Sequence, residues 1–405
     1  MTDPVSTLAD LVRRPSVNPM GRAVTGPEYL EGRVTDYLVQ RFDSSGLRWA
    51  RQTVAPGRDN VLVRLEATRP GSPTVLWDAH QDTVPAEGMS IEPFSPHVRD
   101  GRLYGRGSCD VKGGMAAMLV ALERLRLSPA PRTATVVFAA TVNEEFGFSG
   151  AHGVARLWSE PAAGSAPGDA AARGLLGGRP AAAIVAEPTQ LDLVTQHKGA
   201  IRWRARIRGV ACHSAFPERG DNAIYPAARA VLAIERLARE LLDRHAGHPC
   251  GPPTLSLGTI HGGTGVNLVP DAVVLEFDRR VVPGESPREA RQEVIDRIAA
   301  ALAADPPVGT APRIEHDPPF LESAGLSAAA DATWGDRLAA AAAARGTSPR
   351  RIAARYGTNA SVFSAAGVPS LVFGPGAIEQ AHTADEWIEI AQVERAAEIL
   401  VASVT

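Results

Sequence analysis

Four short apolar runs in this chain each lead into a side chain able to bind a metal ion. Thr74 to Ala79 ends on His80, Ala134 to Ala140 leads to Glu144 and Glu145, Ala182 to Ala186 ends on Glu187, and Ser370 to Phe373 is followed shortly by His382. Runs of this length, bounded by Gly and Pro, read as buried parallel strands. In an open α/β sheet, residues just beyond the carboxyl ends of such strands converge, however distant in sequence. An α/β fold is therefore expected. Its sheet would gather these imidazoles and carboxylates along one edge, joined by Asp110 at the start of a helical pattern, and such a donor set points to a two-metal hydrolase.

A chain of 405 residues exceeds what one core usually holds, so two domains are expected. Strand-like and helix-like segments alternate at first, in Asn60 to Leu65, Thr74 to Ala79, Val111 to Leu127 and Thr133 to Ala140. Between Ser159 and Pro180 the Ala, Gly and Pro mixture has no period and reads as a weakly ordered surface loop. From Ile201 the pattern changes. Ile201, Trp203, Ala205 and Ile207 alternate with Arg202, Arg204, Arg206 and Arg208, the mark of a half-exposed strand. An antiparallel α+β domain should follow, through a helix near Ala223 to Leu242, strands near Thr254 to Ile260 and Ala272 to Val281, a helix near Pro287 to Ala304 and a strand near Arg313 to His316. A helix from Ala332 to Arg345 and the strand before Gly374 return to α/β character. The smaller domain, residues 199 to 316, is thus read as an insertion into a larger one made of residues 1 to 198 and 317 to 405. The four arginines read as a solvated strand face and receive no function.

A net charge of -3 gives no electrostatic case for nucleic acid or anionic membrane as partner. Neither a signal-peptide pattern nor a run near the ~20 apolar residues of a membrane span occurs, so a cytoplasmic protein is expected. Three cysteines without CxxC spacing suit a reducing compartment and exclude a thiolate zinc site.

Taken alone, His80 is also what a buried, hydrogen-bonded histidine looks like. Two residues on, the Asp82 carboxylate can accept the ring N–H and fix the tautomer. Asp110 reads locally as a helix N-cap. A carboxylate there can also bridge two cations, with Gly105, Gly107, Gly113 and Gly114 letting backbone come close. This segment fits neither GxxxxGK[ST] nor GxGxxG, so a phosphate loop is disfavoured. On an extended backbone, Glu144 and Glu145 would point to opposite sides, one toward metal and one toward water. Two histidines and three carboxylates suit zinc, cobalt or manganese, and zinc is favoured by its record in hydrolytic sites.

The motifs, in order over nearly the whole chain, resemble the dinuclear zinc amidohydrolase and metallopeptidase family of acetylornithine deacetylase, succinyl-diaminopimelate desuccinylase, aminoacylases and carboxypeptidase G. They are His80-Gln81-Asp82-Thr83-Val84-Pro85, Gly105-Arg106-Gly107 to Asp110-Val111-Lys112-Gly113-Gly114, Asn143-Glu144-Glu145-Phe146-Gly147, Ala186-Glu187-Pro188-Thr189, and Gly374-Pro375-Gly376 to Ala381-His382-Thr383. The resemblance implies a zinc-exopeptidase-like catalytic domain with a mixed, largely parallel sheet and an inserted ferredoxin-like lid and dimerisation domain. It implies that Asp110 bridges two divalent ions, that His80 and Glu187 complete one site and Glu145 and His382 the other, that Asp82 orients His80, and that Glu144 is the general base. In the lid, Gly209-Val210-Ala211-Cys212-His213-Ser214-Ala215 resembles the segment whose histidine serves the partner subunit, so His213 takes that role in a homodimer. Asn267 and Arg280 match residues that hold the substrate carboxylate. Asn143 stands where the family often has Asp, and the chain lacks the Glu-Glu-Gly-Ser-Arg-Phe pattern of related carbamoylases. The implied reaction is hydrolysis of the amide bond of N-acyl amino acids, with a dipeptidase or glutamate-type carboxypeptidase as the near alternative. A silent metal- or ligand-binding module is the remote one, since a binder has no use for Glu144.

Overall fold

The computed structural model describes residues 3–161, 166–304 and 313–405. The chain forms two compact units, Met1–Thr195 with Ala328–Ile352 and Thr358–Thr405, and Gln196–Ser327 with Ala353–Gly357.

At the centre of the first unit are four adjacent parallel strands, Thr135–Thr141, Thr74–His80, Ala182–Val185 and Ser370–Val372. Arg58–Leu65 and Arg48–Ala55 extend this block antiparallel on one side, and Leu193–His197 pairs antiparallel on the other. Arg351–Ala354 completes eight strands. Every residue of Thr135–Thr141 is buried, because the block is covered on both faces. For the same reason its sequence is a continuous apolar run. The helix Gly113–Leu127 is buried over most of its circumference and packs against Ile390–Ser403 and Pro4–Val12. Trp77, Phe138, Ile184, Met118 and Leu400 belong to the resulting core.

Two expectations about local structure in this unit need correction. The stretch from Ser159 to Pro180 carries a helix, Asp169–Leu176, whose Ala172, Leu175 and Leu176 are buried and which packs against Arg48–Ala55. Spacing of i, i+3 and i+4 gives even this short Ala-rich segment one apolar face. Gln52 Nε2 donates to the buried Asp169 carboxylate at 2.8 Å, while Gly168 and Gly177 take the left-handed conformations that close both ends. Residues 162–165 of that stretch lie outside the described residues. The second correction concerns Asp110, which does not cap the following helix. That helix begins at Gly113 after an irregular turn, Ser108–Lys112, in which Asp110 has φ -118° and ψ 95°.

In the second unit, strands run in the order Thr254–Gly262, Ala272–Val281, Gly199–Arg208, Arg313–His316, all antiparallel, with Leu321–Ser323 also on Gly199–Arg208. Helices Ile224–Asp243 and Pro287–Ala304 close a core containing Trp203, Ile207, Phe277, Leu237 and Ile298. Arg202, Arg204, Arg206 and Arg208 face the other way and pair with Asp278, Glu276, Asp317 and Glu315. The unit reaches beyond the expected 199 to 316 because the Leu321–Ser323 strand pairs with it, and His197 and Leu326 exchange main-chain hydrogen bonds of 2.9 and 3.1 Å. No helix among the described residues is long and apolar enough to cross a membrane.

Candidate metal centre

Beyond the carboxyl ends of the parallel block, two groups of potential ligands share one residue. His80, Asp110 and Glu187 form one, and Asp110, Glu145 and His382 the other, with the ligand atoms of each group within 4.8 Å of one another. Asp110 Oδ1 lies 3.1 Å from His80 Nε2, while its Oδ2 lies 3.3 Å from His382 Nε2. His382 Nε2 is also 3.3 Å from Glu145 Oε2. Each carboxylate oxygen of Asp110 therefore faces a different group.

Strand ends explain most of this placement. His80 is the last residue of its strand, and Glu187 stands two beyond Val185. A Cβ on Gly374 would come within 2.6 Å of the Glu187 carbonyl oxygen, so the end of the neighbouring strand passes Glu187 only as glycine. Glu144 and Glu145 are not on extended backbone. Asn143 turns the chain with φ 60°, and Glu144–Gly147 is a helical turn. Successive side chains then diverge by about 100° rather than lying on opposite faces.

Asp82 also acts differently from expectation. His80 Nδ1 is 2.9 Å from the Asp82 backbone oxygen, and the Asp82 carboxylate is 3.7 Å away from that nitrogen. Its oxygens instead accept the N–H groups of Glu144 at 3.1 Å and Glu145 at 3.2 Å, and Asn18 Nδ2 at 2.7 Å. Glu31 adds to this support by accepting Asn143 N–H and an Arg58 N–H, each at 3.1 Å. Neither Asn18 nor Glu31 carries a sequence signal, since both come from the N-terminal segment, outside every motif.

The centre is short of positive charge. Burial, then the neighbouring carboxylates, push the Glu144 and Glu187 carboxyls well above the usual range. Burial lowers the proton affinity of His80, but its hydrogen bond to Asp110 and the surrounding carboxylates outweigh this and raise it. Hydrogen bonds to Asp110 and Glu145 push His382 up to about 11. For Asp110, burial acts upward, but contact with both histidines prevails and holds it below the usual range. Both histidines thus gain proton affinity from the carboxylates around them, and Glu145 Oε1 is buried without a hydrogen-bond partner. Buried acids in this number are ordinarily paired or bound to metal, and the oxygen and imidazole donors fit two divalent ions sharing Asp110.

In the second unit His213 and Asn267 stand together. Residues His213 and Leu268 form a β-bridge, and Ser214 N–H donates to the Asn267 carbonyl at 3.1 Å. Both side chains are exposed. Arg280 is not with them. It pairs with Asp278 through bonds of 2.9 and 3.1 Å and lies across from Ala200, whereas Ala272, at the end near Asn267, lies across from Arg208. Eight residues of strand separate the two ends, roughly 27 Å. Cys109, Cys212 and Cys250 are all free, and Cys109 Sγ donates to the Ala377 carbonyl at 3.3 Å.

A mixed sheet with a parallel centre, bearing two acid–imidazole groups joined by one carboxylate, defines a metallohydrolase of the two-metal class. Residues 76–405 match the Peptidase family M20/M25/M40, and the chain belongs to that family of metal-dependent hydrolases. It is 30% identical over 376 residues to the acetylornithine deacetylase of Myxococcus xanthus, covering 91% of this chain and 90% of that protein. The di-peptidase Dug1p of Saccharomyces cerevisiae superposes with a TM-score of 0.76 at 14% identity, covering 99% of this chain and 94% of the other. The YXEP protein of Bacillus subtilis, a dinuclear metal binding peptidase of the M20 family, superposes with a TM-score of 0.65 at 14% identity, over 99% and 96% of the two chains. Likeness at these identities concerns the fold. The family and fold class expected from the motifs are those found.

Proposed function

We propose that the chain hydrolyses the amide bond of N-acyl amino acids, with Glu144 as general base. The observation that carries this reading is a buried carboxylate, Glu144, that belongs to neither ligand group and has a raised proton affinity. Divalent ions held by His80, Asp110 and Glu187 and by Asp110, Glu145 and His382 would supply Lewis acidity toward the scissile carbonyl and toward water. Zinc is the proposed metal, with cobalt or manganese as substitutes the donor set accepts. Glu144 takes the proton of the attacking water and returns it to the leaving amine. His213 donates a hydrogen bond to the developing oxyanion. Asn267 of one copy and Arg280 of the other hold the substrate carboxylate, Arg280 by turning its fork from Asp278 to the substrate. The name of the Myxococcus relative supports a deacylase; a dipeptidase uses the same chemistry on a related bond.

The second unit is proposed as lid and dimerisation domain of a homodimer. His213 bridges Leu268, ahead of the Ala272 end of the Ala272–Val281 strand, and Arg280 lies eight residues along that strand from Ala272, a span of roughly 27 Å. A small substrate cannot span that distance, so if both residues serve one site they come from two copies. A cytoplasmic location, in keeping with three free cysteines, completes the reading.

The test is amine release from a panel of N-acetyl amino acids, N-succinyl amino acids and dipeptides, with zinc, cobalt or manganese added. Turnover of N-acyl amino acids is expected. Turnover of dipeptides alone would make the protein a peptidase, and no turnover of any substrate with any metal would remove the catalytic reading.

A further inference from the structure

Glu386 is 1% exposed, and neither the motifs nor the ligand groups include it. Both of its carboxylate oxygens are used. Oε1 accepts the N–H groups of Cys109 at 2.9 Å and Asp110 at 3.0 Å, and Oε2 accepts Gly107 N–H at 2.9 Å and Arg106 Nη1 at 2.7 Å. Four donors from one five-residue segment converge on one side chain. The main chain repeats the connection, since Gly105 N–H donates to the Glu386 carbonyl at 2.9 Å and Trp387 pairs with Tyr104.

Placement gives this knot its consequence. The segment it holds ends at Asp110, whose two oxygens face His80 and His382. Glu386 itself follows His382 by four residues. One carboxylate therefore ties the residue shared by both ligand groups to the stretch of chain that supplies His382. Irregular backbone at Ser108–Lys112 has few partners of its own kind, so its shape depends on what accepts its N–H groups. We infer that Glu386 is a positioning residue for the metal centre, fixing Asp110 relative to His382 so that both groups can bind their ions. The inference rests on the metal-binding part of the proposed function and is independent of the substrate assigned there.

Glu386→Gln tests it. The amide keeps the size of the side chain but turns one of its two acceptor oxygens into a donor, which then faces either Arg106 and Gly107 or Cys109 and Asp110. Affinity is measured by titrating the metal-free protein with zinc against a competing chelator, and by the visible absorption of bound cobalt, which reports ligand geometry. Both affinities should fall by roughly 10- to 100-fold, the usual effect of losing an outer partner of a metal ligand, with an altered cobalt spectrum. Glu386→Asp keeps the charge but is a methylene short, and should lose at least about threefold; it serves if the glutamine variant fails to fold. Trp387→Phe is the control, the next residue along, which opens the Trp387–Glu389 strand and whose side chain has no hydrogen bond to residues 106–110, and should keep wild-type affinity. A Glu386→Gln or Glu386→Asp protein with unchanged affinities and cobalt spectrum, even if it melts at lower temperature, overturns the inference. If wild-type protein takes up no zinc or cobalt, the metal-binding reading itself fails, a result distinct from failure of the role of Glu386.

Discussion

The carboxylate of Asp82 holds Glu144 by its backbone: Oδ1 accepts the Glu144 N–H at 3.1 Å, while Oδ2 takes those of Glu145 at 3.2 Å and the Asn18 amide at 2.7 Å. One side chain thus fixes the start of the turn that presents both the proposed base and a proposed ligand. Asp82→Asn replaces one acceptor oxygen with a donor facing N–H groups. Metal affinity and turnover should each fall by about 10- to 100-fold, measured by chelator competition and initial rates. Wild-type values for both would show that the turn holds its shape without this carboxylate.

Glu144 lies outside both ligand groups, so removing it should spare the metals. Glu144→Ala is expected to lose at least ~10²-fold in turnover, the scale of a missing general base, with the same metal content as wild type by elemental analysis. Loss of the metals along with activity would make Glu144 a ligand.

Helix Asp169–Leu176 gives a stability test that separates structure from the loop expected by composition. Leu175 is 4% exposed, and Leu175→Ala should cost about 2 to 5 kcal/mol in denaturant unfolding. A change below about 0.5 kcal/mol is what a surface loop would give.

His197 supplies a pH dependence. Burial lowers its pKa from 6.5 to about 4, so below pH 6.5 the unfolded chain binds a proton that the folded chain refuses. The stability it contributes is present above about pH 7 and is lost as pH falls through the window from 6.5 to 4. Between pH 7 and 5 the wild type should lose about 2 kcal/mol more than His197→Gln, by denaturant titration at both values. Parallel losses in the two proteins would mean that His197 takes up its proton normally in the folded state.

Complementation examines the proposed homodimer. Glu144→Ala and His213→Ala subunits, each inactive alone, should regain activity when mixed under exchange conditions, because one site in each mixed dimer has both groups intact. Mixed dimers that form and stay inactive would confine His213 to its own chain or remove it from catalysis.

By itself the sequence determined the α/β class, the change to antiparallel pattern at Ile201 and the five candidate ligands. These follow from properties carried by residues in order: strands buried on both faces must be continuous apolar runs, as Thr135–Thr141 is, and side chains just past their ends must meet. Tertiary structure decided the rest. Glu144 and Glu145 diverge on a helical turn because Asp82, Asn18 and Glu31, distant in sequence, hold it. Asp169–Leu176 is a helix because the Arg48–Ala55 strand offers its short apolar face a surface. The Asp110 turn takes its shape from Glu386, 276 residues further along the chain. Such hydrogen bonds leave no period or spacing in a sequence, since any carboxylate brought close by the fold can accept them.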